Sequence, residues 1–302
     1  MIDIRQTLQY VNYQKSNGWT VERINGINYF VKKLPIIGSI LKIQRPKEID
    51  FKMIEKLSKK YRVFQTILES DLSTNIRSIE NHSASTDPIT LYNHKLMLSH
   101  GFKLSKSPYL PTKTLQIDLT QTQKKILKKF SKDCRYSIRK GSGLTIKKYS
   151  SSKEIKKFRK AWKNSVNFKR FVPLVKQLIN LKKSFNGNNS IFLASHNIAG
   201  SIIGGAIFTR SGKDFSYYWQ AFTNSEGRTS LSQYSLLYQG ILWAKKQDCK
   251  IFDFEGIFDS RFPNKSWLGF THFKKSSGGT EILYPGCYTK YNLLNIFSLT
   301  KH

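Results

Sequence analysis

The chain has 302 residues, 39% hydrophobic and 13% aromatic, which is enough apolar material for a large core and excludes an intrinsically disordered protein. Its 51 Lys and Arg against 19 acids give a formal charge of +32, an excess that only adds self-repulsion unless a polyanion takes it up. Nucleic acid and an anionic membrane surface both qualify as that partner, although an AT-rich genome also inflates Lys, Asn and Ile. Cys134, Cys249 and Cys287 show no metal-ligand spacing, which excludes a zinc framework and suits a reducing compartment. Residues 1–5 lack the apolar region of a secretion signal, and no run approaches the roughly 20 apolar residues of a membrane span. A soluble or peripheral cytoplasmic protein is expected.

In chain order, residues 7–21 read as a short helix, ended by Gly18, that runs into a strand. Strands are expected at 29–33 and 39–43, on either side of Leu34-Pro35-Ile36-Ile37-Gly38. A helix over 50–60 follows, with Phe51, Ile54 and Leu57 at helical spacing, then a buried strand over 63–68. Residues 69–90 are loop-like, and a helix around 93–100 completes a small α/β unit, residues 1–112.

A second unit, residues 113–288, opens on an alternating strand at 114–119, after which Thr120 and Gln123 match a capping box. Residues 121–160 hold 15 Lys or Arg and two acids, Asp133 and Glu154. Lys124, Lys125, Lys128, Lys129, Arg135, Arg139 and Lys140 are spaced so that several share one face of a basic helix, and the lack of acids marks a polyanion site. A hairpin is expected at 191–194 and 198–208, with Asn197 and Gly200 in its turn, and an aromatic strand over 215–222. Ser230 caps a helix over 230–247 whose stripe includes Tyr234, Leu237, Tyr238, Ile241 and Leu242, and a strand over 250–254 follows. This order predicts an α/β fold of the α+β kind, with mixed sheets and covering helices. Residues 292–299 form a short amphipathic piece, and 289–302 are expected to pack back on the first unit.

Residues 250–288 carry the most specific pattern in the chain. They run Asp253-Phe254-Glu255-Gly256-Ile257, a polar loop, Phe273-Lys274, Gly278-Gly279 and Tyr284-Pro285-Gly286. An aromatic beside a lysine ahead of a glycine pair suggests a cation held by packing where backbone comes close to a ligand. The series resembles the FemAB family, the bacterial aminoacyltransferases that build peptidoglycan interpeptide bridges from aminoacyl-tRNA. The resemblance implies two GNAT-like (acyl-CoA N-acyltransferase-like) domains, here without the long coiled-coil arm of larger members. It implies an N-terminal domain that binds the acceptor and a catalytic C-terminal domain.

Transfer from a tRNA ester to an amine needs no enzyme nucleophile, since the ester is already activated; position, proton removal and oxyanion stabilisation carry the rate. The resemblance places Lys274 as the cation at the carbonyl or the tRNA end, with Phe273 shaping the pocket. Gln9, Lys15, Gly18 and Trp19 resemble the family's opening pattern, which gives Lys15 the acceptor phosphate. Arg170, Trp219, Tyr234 and Asp253 are the further substrate-binding positions that it implies, although Asp253 also suits orienting the loop that follows. Two family tyrosines fall on Gln177 and Gln220. The implied partners are aminoacyl-tRNA on the basic helix, a peptidoglycan precursor linked to UDP or lipid, and an anionic membrane at its cytoplasmic face. A monomer that needs no cofactor and no metal is expected. The competing readings are an acyl-CoA-dependent GNAT enzyme and a non-catalytic RNA-binding protein; the former usually has a Gly-rich loop that the sequence from Gly227 to Ser232 lacks.

Overall fold

The computed structural model describes residues 1–71, 74–75, 88–166 and 170–292, with 74–75 and 88–91 described by backbone alone. The remainder of the 69–90 loop, Phe168, Lys169 and the amphipathic piece up to 299 lie outside the described residues. The chain divides into two compact units. The first takes Arg5–Thr114, Phe258–Ser266 and the chain from Thr280; the second takes Met1–Ile4, Leu115–Ile257 and Trp267–Gly279.

The first unit begins with α1 (Leu8–Ser16), where the Thr7 hydroxyl accepts from the Tyr10 amide, and Gly18 at φ +79° turns the chain out of the helix. It continues through β1 (Thr20–Ile24), β2 (Ile27–Leu34), β3 (Gly38–Gln44), α2 (Phe51–Lys60) and β4 (Val63–Glu69). Asp50 caps α2 by accepting from the Met53 amide, and Ile54 and Leu57 lie on its buried face. β5 (Thr74–Asn75), α3 (Pro88–Ser99) and β6 (Lys103–Leu104) follow, so α3 starts earlier than the expected 93. The six-stranded sheet has the order β1-β2-β3-β4, then the late strand Tyr288–Tyr291, then β6. β3 and β4 are parallel, joined by α2, and pair from Ser39↔Val63 to Gln44↔Glu69 with one register shift after Ser39.

The second unit comprises β7 (Lys113–Asp118), α4 (Gln123–Lys128), α5 (Lys132–Lys140), β8 (Thr145–Tyr149), α6 (Ser152–Ser165) and α7 (Val175–Ser184). It goes on through β9 (Ser190–His196), β10 (Ile202–Ser211), β11 (Phe215–Thr223), α8 (Ser225–Thr229), α9 (Ser232–Lys246), β12 (Ile251–Asp253) and α10 (Leu268–Lys275). Back in the first unit, β13 (Thr280–Leu283) pairs with β5, and β14 is the late strand Tyr288–Tyr291. The sheet of the second unit runs β7-β12-β11-β10-β9-β8, with β11 and β12 parallel and the remaining neighbours antiparallel. Both units therefore repeat one plan: a helix, three antiparallel strands, a crossover helix and a parallel strand.

Three sequence expectations are corrected. Thr122, not Thr120, caps α4, because Asp118 captures the Thr120 amide and hydroxyl at 2.9 and 2.6 Å, while Gln123 turns to the Tyr238 hydroxyl. The basic run is two helices, not one: buried Phe130 anchors the break, and Ser131 starts α5 by accepting from the Cys134 amide. Ser230 ends α8 instead of starting α9; Asn224 caps α8, and α9 leaves from Leu231, whose backbone is left-handed at φ +58°.

The core of the second unit packs α9 residues Leu236, Leu237 and Ile241 against Phe208, Phe252 and Phe254, each burial contributing about 1.5–3 kcal/mol. Gly240 is what lets α9 approach β10, since a Cβ there would stand 2.1 Å from the Phe208 ring. Gly240→Leu is expected to destabilise the protein by about 3 kcal/mol or more, lowering Tm by roughly 6 °C or further. Thermal melting checks this, and an unchanged Tm would show that the helix can stand off the sheet.

Candidate active site

The site lies within the second unit and originates in a difference between the two copies of the shared plan. In the first unit the parallel pair β3–β4 is closed along its length. In the second unit β11 and β12 pair only over Phe215–Tyr217 and Ile251–Asp253, while β11 runs on to Thr223. β11 also bulges there, since Ile207 faces Gln220 but Phe208 faces Tyr218, leaving Trp219 as the extra residue. Beyond the last shared pair the strands part, and a cavity of about 840 Å³ opens.

Asp253 fixes the departing strand. Its carboxylate accepts from the Glu255 amide at 2.7 Å and the Gln116 side chain at 2.8 Å, and the chain then turns through left-handed Glu255 and Gly256. Asp253 is buried and is not among the cavity's lining residues, so it shapes the loop without facing the pocket. Glu255 lines the cavity, as does Leu231. Both are non-glycine residues at positive φ, each costing about 1–3 kcal/mol of backbone strain, and such strain gathers at functional sites.

Phe273 and Lys274 stand on α10, a helix with no counterpart among the sequence expectations, and both line the cavity. Phe273 packs against Tyr234 edge-on, with ring centres 4.9 Å apart, and against Tyr218. Lys274 is only 8% exposed. Its ammonium donates to the carbonyls of Phe254 and Gly256, both at 2.7 Å, and lies over the Phe270 ring at 4.8 Å. Burial lowers its pKa to about 8, against the opposing pull of Glu255 and Asp253. Two of the three ammonium donors are thus committed to the loop after β12, leaving one for a ligand.

Trp219 and Tyr234 line the cavity, and so do exposed Arg170 and half-buried Gln220. Gln177 does not; its side chain accepts from the Leu174 amide and serves the start of α7. Lys15 is exposed on α1 of the other unit and is not a lining residue either. Nearby in that unit, Lys42 lies over Trp19 at 5.2 Å and Tyr109 at 4.8 Å, and burial lowers its pKa. Lys124, Lys125, Lys128 and Lys129 are exposed on α4 and its end, and Arg139 and Lys140 on the last turn of α5. Arg135 is half-buried instead, because its guanidinium donates to the Phe130 and Lys128 carbonyls at the helix break.

Several lining residues had no signal in the sequence. Buried Tyr218 donates to Gln233 at 2.8 Å, and Gln233 donates to the Phe222 carbonyl at 2.5 Å, which ties β11 to the first turn of α9. Burial raises the Tyr218 pKa, so its hydroxyl stays protonated and acts as a donor. Glu255 is the only carboxylate among the described lining residues, and Arg228 adds a second guanidinium.

No protein-family model matches the chain, and neither does any curated protein. Solved structures do. The crystal structure of FemX superposes with a TM-score of 0.75 at 15% identity, covering 99% of this chain and 95% of that one. L-PGS from Bacillus licheniformis gives 0.57 at 11% identity, over 96% and 90%. A tandem GNAT protein from the clavulanic acid biosynthesis pathway gives 0.52 at 9%, over 88% and 82%. The chain therefore has a FemAB-like fold built of two GNAT-like units, as the motifs of 250–288 imply.

Proposed function

We propose that the cavity transfers an aminoacyl group from aminoacyl-tRNA to an amine of a peptidoglycan precursor, as in interpeptide bridge formation for the bacterial cell wall. The observation that carries this reading is the buried Lys274 ammonium at the wall of a cavity opened by parted parallel strands, in a fold like that of FemX.

In this reading the acceptor amine nitrogen attacks the ester carbonyl carbon, and negative charge gathers on the carbonyl oxygen. The remaining donor of the buried Lys274 stabilises that oxyanion. The intermediate collapses by breaking the bond to the ribose oxygen. The amine proton passes through Glu255 to that oxygen, which leaves as a hydroxyl. Phe273, Tyr234 and Trp219 give the aminoacyl group apolar walls, and Arg170 receives acceptor charge. Lys15 is assigned to acceptor phosphate, whether UDP-linked or lipid-linked. The α4–α5 cations hold the tRNA backbone, and the overall charge favours an anionic membrane nearby.

The test offers tRNA charged with labelled amino acids together with a UDP-linked or lipid-linked muropeptide. Label on the peptide amine is expected from charged tRNA and not from acyl-CoA; the reverse would return an ordinary GNAT chemistry. The pH profile adds a second check. Lys274 works as a cation and its folded pKa is lowered, so initial transfer rates should fall as pH rises through about 8. A rate that keeps climbing to pH 9.5 or so would remove the ammonium from the mechanism.

A further inference from the structure

The turn between β2 and β3 reads Leu34-Pro35-Ile36-Ile37-Gly38, and its tip is apolar and in water. Ile36 is 84% exposed and Ile37 is 37% exposed, with Pro35 exposed beside them. Runs of exposed apolar residues of this kind are selected against unless they serve a purpose. Ile36 also sits at φ +73°, a region that β-branched residues rarely enter and that glycine adopts freely. The position thus carries both strain and wetted aliphatic surface, and a glycine would relieve both.

The tip is held in place. The Ile37 amide donates to the Pro35 carbonyl at 2.8 Å, Leu34 pairs with Gly38, and the Ser39 amide donates to the Arg62 carbonyl at 3.1 Å. A Cβ on Gly38 would meet that same carbonyl at 2.3 Å, so the turn lies against the chain leaving α2. Residues 32–38 and 56–62 together contain Lys32, Lys33, Lys56, Lys59, Lys60 and Arg62 and no acid. Lys59 and Lys60 pair with Glu55 and Glu22, and Lys32 donates to the Gly18 carbonyl. Lys33 and Lys56 are exposed.

We propose that the β2–β3 turn docks on an anionic bilayer, with Pro35, Ile36 and Ile37 entering the headgroup region while the surrounding cations meet anionic headgroups. Apolar insertion and electrostatic attraction add in this mode of binding. A nucleic acid would use the cations but gain nothing from the isoleucines. A three-residue tip is far smaller than the about 800 Å² that each partner contributes to a stable protein interface. A deformable surface suits it better. This gives the membrane contact of the proposed function a location, and its test reads partitioning, so either idea can fail without the other.

The full chain is sedimented with phosphatidylcholine vesicles, with and without about one-third phosphatidylglycerol. Binding is expected only with the anionic lipid. Ile36→Gly/Ile37→Ser should lower that partitioning about tenfold or more while keeping or raising Tm, because glycine relaxes the backbone. Lys33→Ala/Lys56→Ala should weaken binding and flatten its salt dependence. The proposal is overturned if the parent does not bind, or if the isoleucine variant binds like the parent. It is equally overturned if gel filtration shows concentration-dependent self-association that the variant abolishes.

Discussion

Lys274→Ala is expected to lower transfer by about 10²-fold or more while the protein remains folded, the scale on which removal of one oxyanion donor acts. The stability change has two opposing parts. The loop after β12 loses two hydrogen bonds from a charged donor, to the carbonyls of Phe254 and Gly256, each contributing about 1.5–3 kcal/mol. Against this, the unfavourable burial of an ammonium, visible in the pKa lowered to about 8, is relieved. A net loss of about 2 kcal/mol and a Tm lower by roughly 4–8 °C is expected. Lys274→Arg keeps the charge but not the fit between two carbonyls, so it should rescue stability less than charge alone would suggest. Near-normal transfer by a folded alanine variant would reduce Lys274 to a clasp for the loop after β12.

Replacing Lys124, Lys125, Lys128 and Lys129 with alanine is expected to weaken tRNA binding on the order of 10²-fold at physiological salt. For every phosphate that is no longer neutralised, the slope of log affinity against log salt should also fall by about 0.7–0.9. The exposed lysines of α6, Lys153, Lys156, Lys157 and Lys160, provide the control, since they carry the same charge on a different helix. Equal losses from both sets would mean that bulk charge, and no particular face, holds the RNA. An unchanged slope in the α4 variant would remove this helix from the interface.

The parts of the fold set by local patterns were legible in the sequence. Asp50 with Ile54 and Leu57 announces α2, and short apolar runs announce β2, β3 and β4. Phe273-Lys274 was legible only as part of a longer motif; α10 itself is short, carries Gly269 in its first turn and begins at Trp267 without a side-chain cap. The opening of the site was not legible at all. It depends on the bulge at Trp219, on where β12 stops pairing, and on left-handed Leu231 and Glu255. These are properties of strand register and tertiary packing, and residue type does not announce them. The helix starts at Thr122 and Leu231 illustrate the same limit on a smaller scale, since in each case a nearby hydroxyl, Thr120 or Ser230, offered a competing start.

The last described strand, β14, pairs with both β4 and β6 in the sheet of the first unit. During synthesis, β4 is made more than two hundred residues before its neighbour at Tyr288–Tyr291. Until that neighbour has been translated, the edge of β4 is an unsatisfied template for any passing strand. The sheet of this unit cannot close early in translation, and truncations short of Tyr291 are expected to aggregate.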